Sequence, residues 1–387
     1  MTASPIRIAP ARLRLWALAL AGIGLAPVVG AFAFDFHDWP AFWSAGATAG
    51  TVDLVDPARH QAWQLAHGLP AAFFAYPPGS AWLFWPFSLL PLPLGFVVHG
   101  LLMLAAAVAA GWLAAPIYGL ERRLAILATL AWAPVTASVV LGQNGPLGLL
   151  LAIAAIAALV RGQAAPAGLA IGVLLYKPTF AAPLVGLLIL RRRWTELGIV
   201  AIAAAAWYLA GLAASAGDWS WPLAWVGGLR TYVEADFAGN ADKAVSLPGL
   251  LARVPGLPGW LPVLAGAALV ALAIPRLVSA PMIEAASAAC LVGVAASPHA
   301  WGYDAALVAP FLFWLLGEHG RAALAEPWRT RLIVAAYVLA PLWLVSRQTV
   351  VSVLAVIVLG MVVLWLTVTN GTESRRMRHP PGTNGGA

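Results

Sequence analysis

The chain has 387 residues, 62% of them hydrophobic and only 10% charged, with a formal net charge of +7 and a mean hydropathy of +0.86. A soluble domain carries about 25% charged residues, so the composition excludes a soluble globular protein and predicts an all-α polytopic membrane protein, helical wherever it faces lipid. The basic residues sit in short clusters between apolar runs, which argues against a nucleic-acid partner, and the single cysteine, Cys290, excludes an intramolecular disulfide.

Taken in chain order, apolar runs predict helices near 12–34, 93–115, 124–140, 146–160, 164–176, 179–190, 197–214, 258–275, 281–296, 303–317, 331–345 and 349–369, roughly twelve segments. The run at 12–34 is longer than the apolar core of a cleaved leader and reads as the first membrane helix. Residues 35–78 form a first large loop with Asp35, Asp38, Asp53 and Asp56. Residues 79–92 are apolar, bounded by prolines and too short to cross, so they read as an interfacial or re-entrant piece. The segments meeting at Gly142 and at Lys177 fall short of the ~20 residues of a perpendicular span. Short helices meeting at a polar break predict a cavity cut into the membrane. Residues 215–257 read as a second large loop, and the tail 372–387 as a disordered extension of a single domain over 1–371. No repeat of fixed period and no inverted symmetry is visible.

Charge sorting predicts the orientation. With the N-terminus in the cytoplasm and every segment crossing, 16 of the 22 Lys and Arg residues fall on the cytoplasmic side, including Arg122, Arg123, Arg161, Arg191, Arg192, Arg193 and Arg276. Both termini are then cytoplasmic. The two large loops face outward across the plasma (inner) membrane, and so do all eight aspartates.

Asp38 stands just before Pro40, a residue suited to the first turn of a helix, so its carboxylate is either a helix cap or a general base at the membrane surface. Asp35, three residues earlier, is close enough to raise the pKa of one of the pair. Asp53 and Asp56 precede Pro57 and read as turn residues. Lys177 is the only lysine or arginine between Arg161 and Arg191 and sits at an outward break; it either snorkels or meets an anion, aided by the helix N-terminus opened at Pro178. Gln143 and Asn144 interrupt an apolar stretch, as a polar turn or as hydrogen-bonding groups for a phosphate or sugar hydroxyl. His299 and Asp304 either bind substrate or make structural hydrogen bonds. Arg230, Glu234, Asp236, Asp242 and Lys243 read mostly as a solvated face. Trp39, Trp43, Trp82, Trp85, Trp219, Trp221 and Trp225 read mainly as interfacial belts, with a smaller share available to stack on sugars. Asp35, Asp38 and His299 have no ligand-set spacing, and no phosphate loop, dinucleotide fingerprint or serine-triad signature is present, so neither a metal nor a cofactor is predicted.

Several short strings occur together in a fixed order: Asp38-Trp39-Pro40-Ala41-Phe42-Trp43-Ser44-Ala45-Gly46, Val55-Asp56-Pro57, Tyr76-Pro77-Pro78, and Pro86 with Leu89-Leu90-Pro91. Downstream come Leu141-Gly142-Gln143-Asn144-Gly145, Tyr176-Lys177-Pro178, Ser246-Leu247 and Ser297-Pro298-His299-Ala300-Trp301-Gly302-Tyr303-Asp304. Together, over about residues 30–310, they resemble glycosyltransferase family 87, within the GT-C superfamily of polyprenyl-phosphate-sugar-dependent transferases. The resemblance implies a GT-C-type bundle of roughly 10–13 transmembrane helices with interfacial helices in the first outer loop. It also implies a first-loop aspartate acting as base, which is Asp38 here. Where mannosyltransferases of that family acting on phosphatidylinositol mannosides carry late histidines in the Ser-Pro-x-x-Trp segment, this chain has Tyr303 and Asp304, with His299 the one histidine nearby.

The expected function is inverting transfer of a hexose, most simply mannose, from a polyprenyl-phosphate donor to a lipid or glycan acceptor. Asp38 would serve as base, with Asp35, Gln143, Asn144, Lys177, His299, Tyr303 and Asp304 about the substrates. Nucleotide sugars are not available outside the membrane, so an outward-facing transferase needs a lipid-tethered donor. The rival expectation is a transporter or lipid-linked-sugar flippase in which Lys177 and the aspartates bind a translocating anion or proton.

Overall fold

The structure is a computed structural model in which residues 38–240, 243–323, 326–340 and 350–368 are described. The predicted helix at 12–34, Asp35, Asp242, residues 341–349 and the tail lie outside the described residues, as do the side chains of Glu234 and Asp236. The described chain is helical; one isolated bridge, Ala244 with Trp301, is its only extended pairing.

The first loop is built of short helices: α1 (Trp39–Ala47), α2 (Pro57–Ala66), a 3₁₀ turn (Pro78–Leu83) and α3 (Trp85–Ser88). Pro40 and Pro57 occupy the first turns of α1 and α2, where a missing N–H costs nothing. Asp56 caps α2, its Oδ1 accepting from the amides of Ala58 at 2.9 Å and Arg59 at 3.2 Å, in keeping with its reading as a turn residue. Gln64, fully buried, ties α2 to the rest through Ser44 Oγ at 2.8 Å and both backbone groups of Ala72. Residues 78–88, which overlap the stretch 79–92 expected to be interfacial or re-entrant, form a 3₁₀ turn and a four-residue helix. Trp82 Nε1 donates to Ala210 O at 3.1 Å, pinning it to a later helix.

Next come α4 (Leu92–Tyr118), α5 (Arg122–Ala131), α6 (Ala133–Val140), α7 (Gly145–Val160), α8 (Ala164–Val173) with a 3₁₀ turn to Tyr176, α9 (Pro178–Leu190) and α10 (Trp194–Ala214). They are followed by α11 (Trp221–Asn240), α12 (Leu247–Ala252), α13 (Trp260–Ser279), α14 (Met282–Ala296), a 3₁₀ segment (Gly302–Val308), α15 (Ala309–Leu316), α16 (Glu318–Ala323), α17 (Glu326–Leu339) and α18 (Val350–Val368). Among the described residues, α4, α10 and α13 are long and apolar enough to cross a membrane alone. The α5–α6 pair, bent by 60°, makes a fourth if taken as one broken span. The predicted segments that fall among the described residues lie close to their expected places, but most are too short for a perpendicular span.

The breaks have identifiable causes. Pro134 lacks the N–H and crowds the preceding turn, so α5 ends at Ala131 and Trp132 is extended. Trp132 Nε1 then donates to Ala305 O at 2.8 Å, fixing the bend against the 302–308 segment. Gly142 sits at φ +72°, the left-handed region that lets the chain leave α6 and start α7 within a few residues. A Cβ at Gly142 would stand 3.0 Å from that of Trp39.

Two features depart from expectation. Residues 215–257, read as a loop, contain the 20-residue helix α11. It follows a turn in which Asp218 Oδ1 accepts from the Ser220 amide and hydroxyl, and Pro222 sits in its first turn. Trp39, read with the interfacial tryptophans, is fully buried. It packs between Phe87, Phe96 and His99 and donates from Nε1 to Leu92 O at 3.1 Å. Its N–H is satisfied inside the protein, so burial carries no polar penalty.

Candidate active site

The breaks at Gly142 and Lys177 and the 3₁₀ segment after Trp301 open onto one cavity of about 480 Å³, roofed by α11. Six of the predicted site residues line it: Asp38, Gln143, Lys177, His299, Tyr303 and Asp304. They come from four separate stretches of the chain, and their convergence is a product of the fold. The volume falls within the range of about 300–1,000 Å³ typical of small-molecule sites.

Asp38 occupies the cap position of α1 but makes no capping hydrogen bond with its side chain. Its Oδ2 instead accepts from Gln143 Nε2 at 2.7 Å. Gln143 is held in turn: Tyr76 Oη donates to its Oε1 at 3.4 Å, which leaves its amino group facing the carboxylate. Burial, then the nearby carboxylate of Asp304, hold the Tyr76 phenol well above its ordinary pKa, so it remains a proton donor. The arrangement fixes the Asp38 carboxylate in direction.

Lys177 stands at the cap position of α9 in extended conformation, with Pro178 and Thr179 beginning the helix and lining the cavity. Its ammonium meets Asp304 Oδ1 at 2.5 Å and lies over the rings of Phe180 at 4.3 Å and of Tyr76 and Tyr303 at 5.3 Å. Three rings and one carboxylate hold the cation at the cavity wall, with the side chain 14% exposed. Asp304 Oδ2 also accepts from the Trp301 amide at 2.9 Å, so the carboxylate is anchored at the start of the 302–308 segment. Lys177 thus does not snorkel into solvent. It is a partly buried, paired cation beside a helix N-terminus, an arrangement that draws anions.

The remaining predicted residues divide. His299 lines the cavity, its ring 4.6 Å from that of Trp301 and 6.0 Å from that of Tyr232, while Ser297 Oγ bridges its backbone amide and carbonyl. Asn144 does not line this cavity. Its Oδ1 pairs with His99 Nε2 at 3.0 Å, and its carbonyl accepts from Tyr176 Oη at 3.0 Å.

Four cavity groups, Tyr76, Trp225, Tyr232 and Lys243, escaped the sequence reading as site residues. Tyr76 was legible only as part of a family string, and its role depends on contact with Gln143, 67 positions away. Trp225 and Tyr232 line the cavity from α11, a helix not expected there. Trp225 Nε1 donates to Ala75 O at 3.2 Å, and Tyr232 stacks on Phe73 at 4.6 Å, so α11 is clamped onto the first loop. Lys243, read with the solvated face, is exposed but also lines the cavity.

An apolar-walled cavity of this size, with an oriented carboxylate, a caged ammonium and aromatic faces, suits a polar substrate carrying an anionic group. No curated protein matches the chain. The family model described as Glycosyltransferase family 87 matches residues 74–300, well over half of the chain, and within that stretch lie Tyr76, Gln143, Lys177 and His299. Asp38 lies ahead of the matched stretch and Asp304 just beyond it, yet both face the same cavity. The protein is therefore a membrane glycosyltransferase, and the chain belongs to glycosyltransferase family 87.

Proposed function

We propose that the protein transfers a hexose, most simply mannose, from a polyprenyl-phosphate donor to a hydroxyl of a lipid or glycan acceptor, with inversion at the anomeric carbon. The cavity faces the extracytoplasmic side of the plasma membrane, and both termini are cytoplasmic. The observation that carries this reading is the pairing of two opposite charges across one cavity: a carboxylate oriented by Gln143 and an ammonium caged by three aromatic rings.

In this scheme the acceptor oxygen attacks the anomeric carbon as its proton passes to Asp38. The bond from that carbon to the phosphate oxygen breaks, and the polyprenyl phosphate leaves as an anion. A phosphate is a stable anion, so its departure needs stabilisation rather than protonation, and Lys177 with the N-terminus of α9 supplies it. Asp304 keeps Lys177 at the wall when no phosphate is present. Gln143 directs Asp38, while Trp301, Tyr303, Tyr232 and His299 offer ring faces and polar edges to a sugar. Asp35 acts as a modulator of the base. Membership of a transferase family favours group transfer over the carrier reading.

Asp38→Asn tests the assignment. It keeps size and hydrogen bonding but cannot take the proton, and general-base catalysis is worth about 10²–10⁴-fold. Purified protein should lose at least about a hundredfold of its turnover of radiolabelled polyprenyl-phosphate mannose, with folding and yield unchanged. A fully active Asp38→Asn protein would remove Asp38 as the base. Product formation in detergent, where there is no second compartment, separates transfer from transport.

A further inference from the structure

Five polar side chains stand in series from the interior of the bundle to the catalytic cavity: His99 on α4, Asn144 at the cap position of α7, Tyr76 in the first loop, Gln143 and Asp38. The last three line the cavity, whereas His99 and Asn144 are buried outside it. The frame around them is rigid. The Gln143 amide donates to Ser138 O at 2.7 Å, and the Asn144 carbonyl accepts from Tyr176 Oη at 3.0 Å. The His99 ring lies 4.7 Å from that of Trp39 and edge-on to Phe87 at 5.5 Å.

The charge of Asp38 fixes the direction of every hydrogen bond in the series. A carboxylate only accepts, so Gln143 turns Nε2 to Asp38 Oδ2, at 2.7 Å, and is left with Oε1. An amide oxygen only accepts, so the Tyr76 hydroxyl gives its one hydrogen to Oε1, at 3.4 Å. The tyrosine oxygen then has lone pairs alone to offer, and the side chain it meets next is the Asn144 amide. That amide answers with Nδ2, which has no other partner, and so turns Oδ1 to His99 Nε2, at 3.0 Å. Nε2 therefore carries the histidine proton. Nδ1, buried and unpartnered, offers no competing hydrogen bond. The five groups form one chain in which every shared hydrogen points towards Asp38.

We propose that Asn144 and His99, which do not line the cavity, are positioning residues for Asp38, acting through Tyr76 and Gln143. The proposal rests on Asp38 being the base of the transfer. A side-chain amide on its own can turn over, and Gln143 turned over would set Oε1 against the carboxylate. In the chain that reversal disturbs every link behind it, because buried hydrogen bonds in series polarise one another. The effect falls on the direction of the base and not on the donor phosphate, since the Tyr76 ring stays over Lys177 whether or not its hydroxyl is engaged.

Tyr76→Phe, Asn144→Leu and His99→Phe cut the chain at successive links in the purified full chain. The first keeps the ring beside Lys177 and the last keeps a ring against Trp39. Turnover of polyprenyl-phosphate mannose should fall in kcat about tenfold, about fivefold and about threefold in that order, with KM for the donor unchanged. In a Gln143→Leu background, where the chain is already cut beside Asp38, none of the three should lower kcat further. Losses that multiply with that of Gln143→Leu, or an unchanged kcat in all three single variants, would overturn the proposal. Asp38→Asn tells the two failures apart. If it is inactive while Tyr76→Phe is fully active, the base stands and the chain falls; if it is fully active, the base falls and the chain has nothing to position. The tautomer is read without substrate, by solid-state nitrogen NMR of protein carrying ¹⁵N-histidine, in which the signals lost in His99→Phe belong to His99. They should show a proton on Nε2 alone, and Tyr76→Phe, two links away, should release the Asn144 amide and mix the tautomers. A proton on Nδ1 in the wild-type protein, or a His99 signal indifferent to Tyr76→Phe, would also overturn the proposal.

Discussion

A carboxylate that takes a proton from an incoming hydroxyl must be held in one direction before the substrate arrives, and at Asp38 that task falls to a neutral amide. Gln143 Nε2 fixes Oδ2 at 2.7 Å through a neutral donor. Gln143→Leu removes the contact and keeps the bulk. A hydrogen bond to a charged group contributes about 1.5–3 kcal/mol, so kcat should fall about ten- to a hundredfold, with KM for the donor little changed; steady-state kinetics on the purified variant check this. An unchanged kcat would mean that Asp38 is positioned by other groups. Lys177 and Asp304 separate structure from chemistry in a different way. Lys177→Met leaves the Asp304 carboxylate buried at 8% exposure with its cation gone, and breaking such a pair costs about 3–5 kcal/mol. The thermal midpoint in detergent should drop clearly. Lys177→Met/Asp304→Asn removes both charges and should recover most of that midpoint while leaving transfer lost, because nothing then meets the phosphate. A double variant that regains activity would reduce Lys177 to a structural cation.

At the scale of elements, the site depends on helices that stop where polar groups are needed. Ordinary local rules made the stops legible: prolines at 40, 57, 134 and 178, and a glycine at 142 whose φ of +72° few other residues adopt. Less legible was what each stop is tied to. Trp132 meeting Ala305, and Trp225 meeting Ala75, join positions 150 or more residues apart, and no local pattern carries such pairings. α11 was missed for a related reason: its mixed polarity reads as loop until the first loop is seen packed against it. The first loop also carries a pH signature. His60 in α2 is 3% exposed, and burial lowers its pKa from 6.5 to about 4, opposed by a backbone hydrogen bond at Ser44 and by the charge of Asp53. The folded loop therefore takes up a proton less readily than the unfolded loop. Above pH 6.5 the histidine is neutral in both states and contributes no pH dependence. As pH falls from 6.5 towards 4, the unfolded form is favoured and the loop loses stability. Hydrogen exchange of residues 57–66 should accelerate over that window relative to the intrinsic rate, and His60→Gln should flatten the dependence. An equal slope in both proteins would exclude His60 as its source.

For the whole molecule, the sequence order of short motifs predicted which residues gather, and Asp38, Gln143, Lys177, His299, Tyr303 and Asp304 do share one cavity. The partition of Gln143 from its neighbour Asn144 was not legible, because adjacent residues at a tight turn point to opposite sides and only the packed helices decide which side is which. The direction in which the cavity faces is a separate matter, resting on the distribution of charge along the chain. In the proposed orientation, most Lys and Arg residues fall in cytoplasmic connections, as at Arg191, Arg192 and Arg193, and the aspartates fall on the outer side. The one native cysteine makes this testable, since Cys290 is fully buried and can be replaced by alanine with little change in volume. In that background a cysteine is placed at Trp219, 75% exposed beside the start of α11, or at Trp194, 65% exposed just after the arginine cluster. A membrane-impermeant maleimide applied to intact cells should label Trp219→Cys and leave Trp194→Cys untouched until the membrane is permeabilised. The reverse pattern would turn the cavity towards the cytoplasm. Nucleotide sugars are present there, so the argument for a lipid-tethered donor would fall with the orientation, and Lys177 would have to be reconsidered as a partner for a nucleotide phosphate.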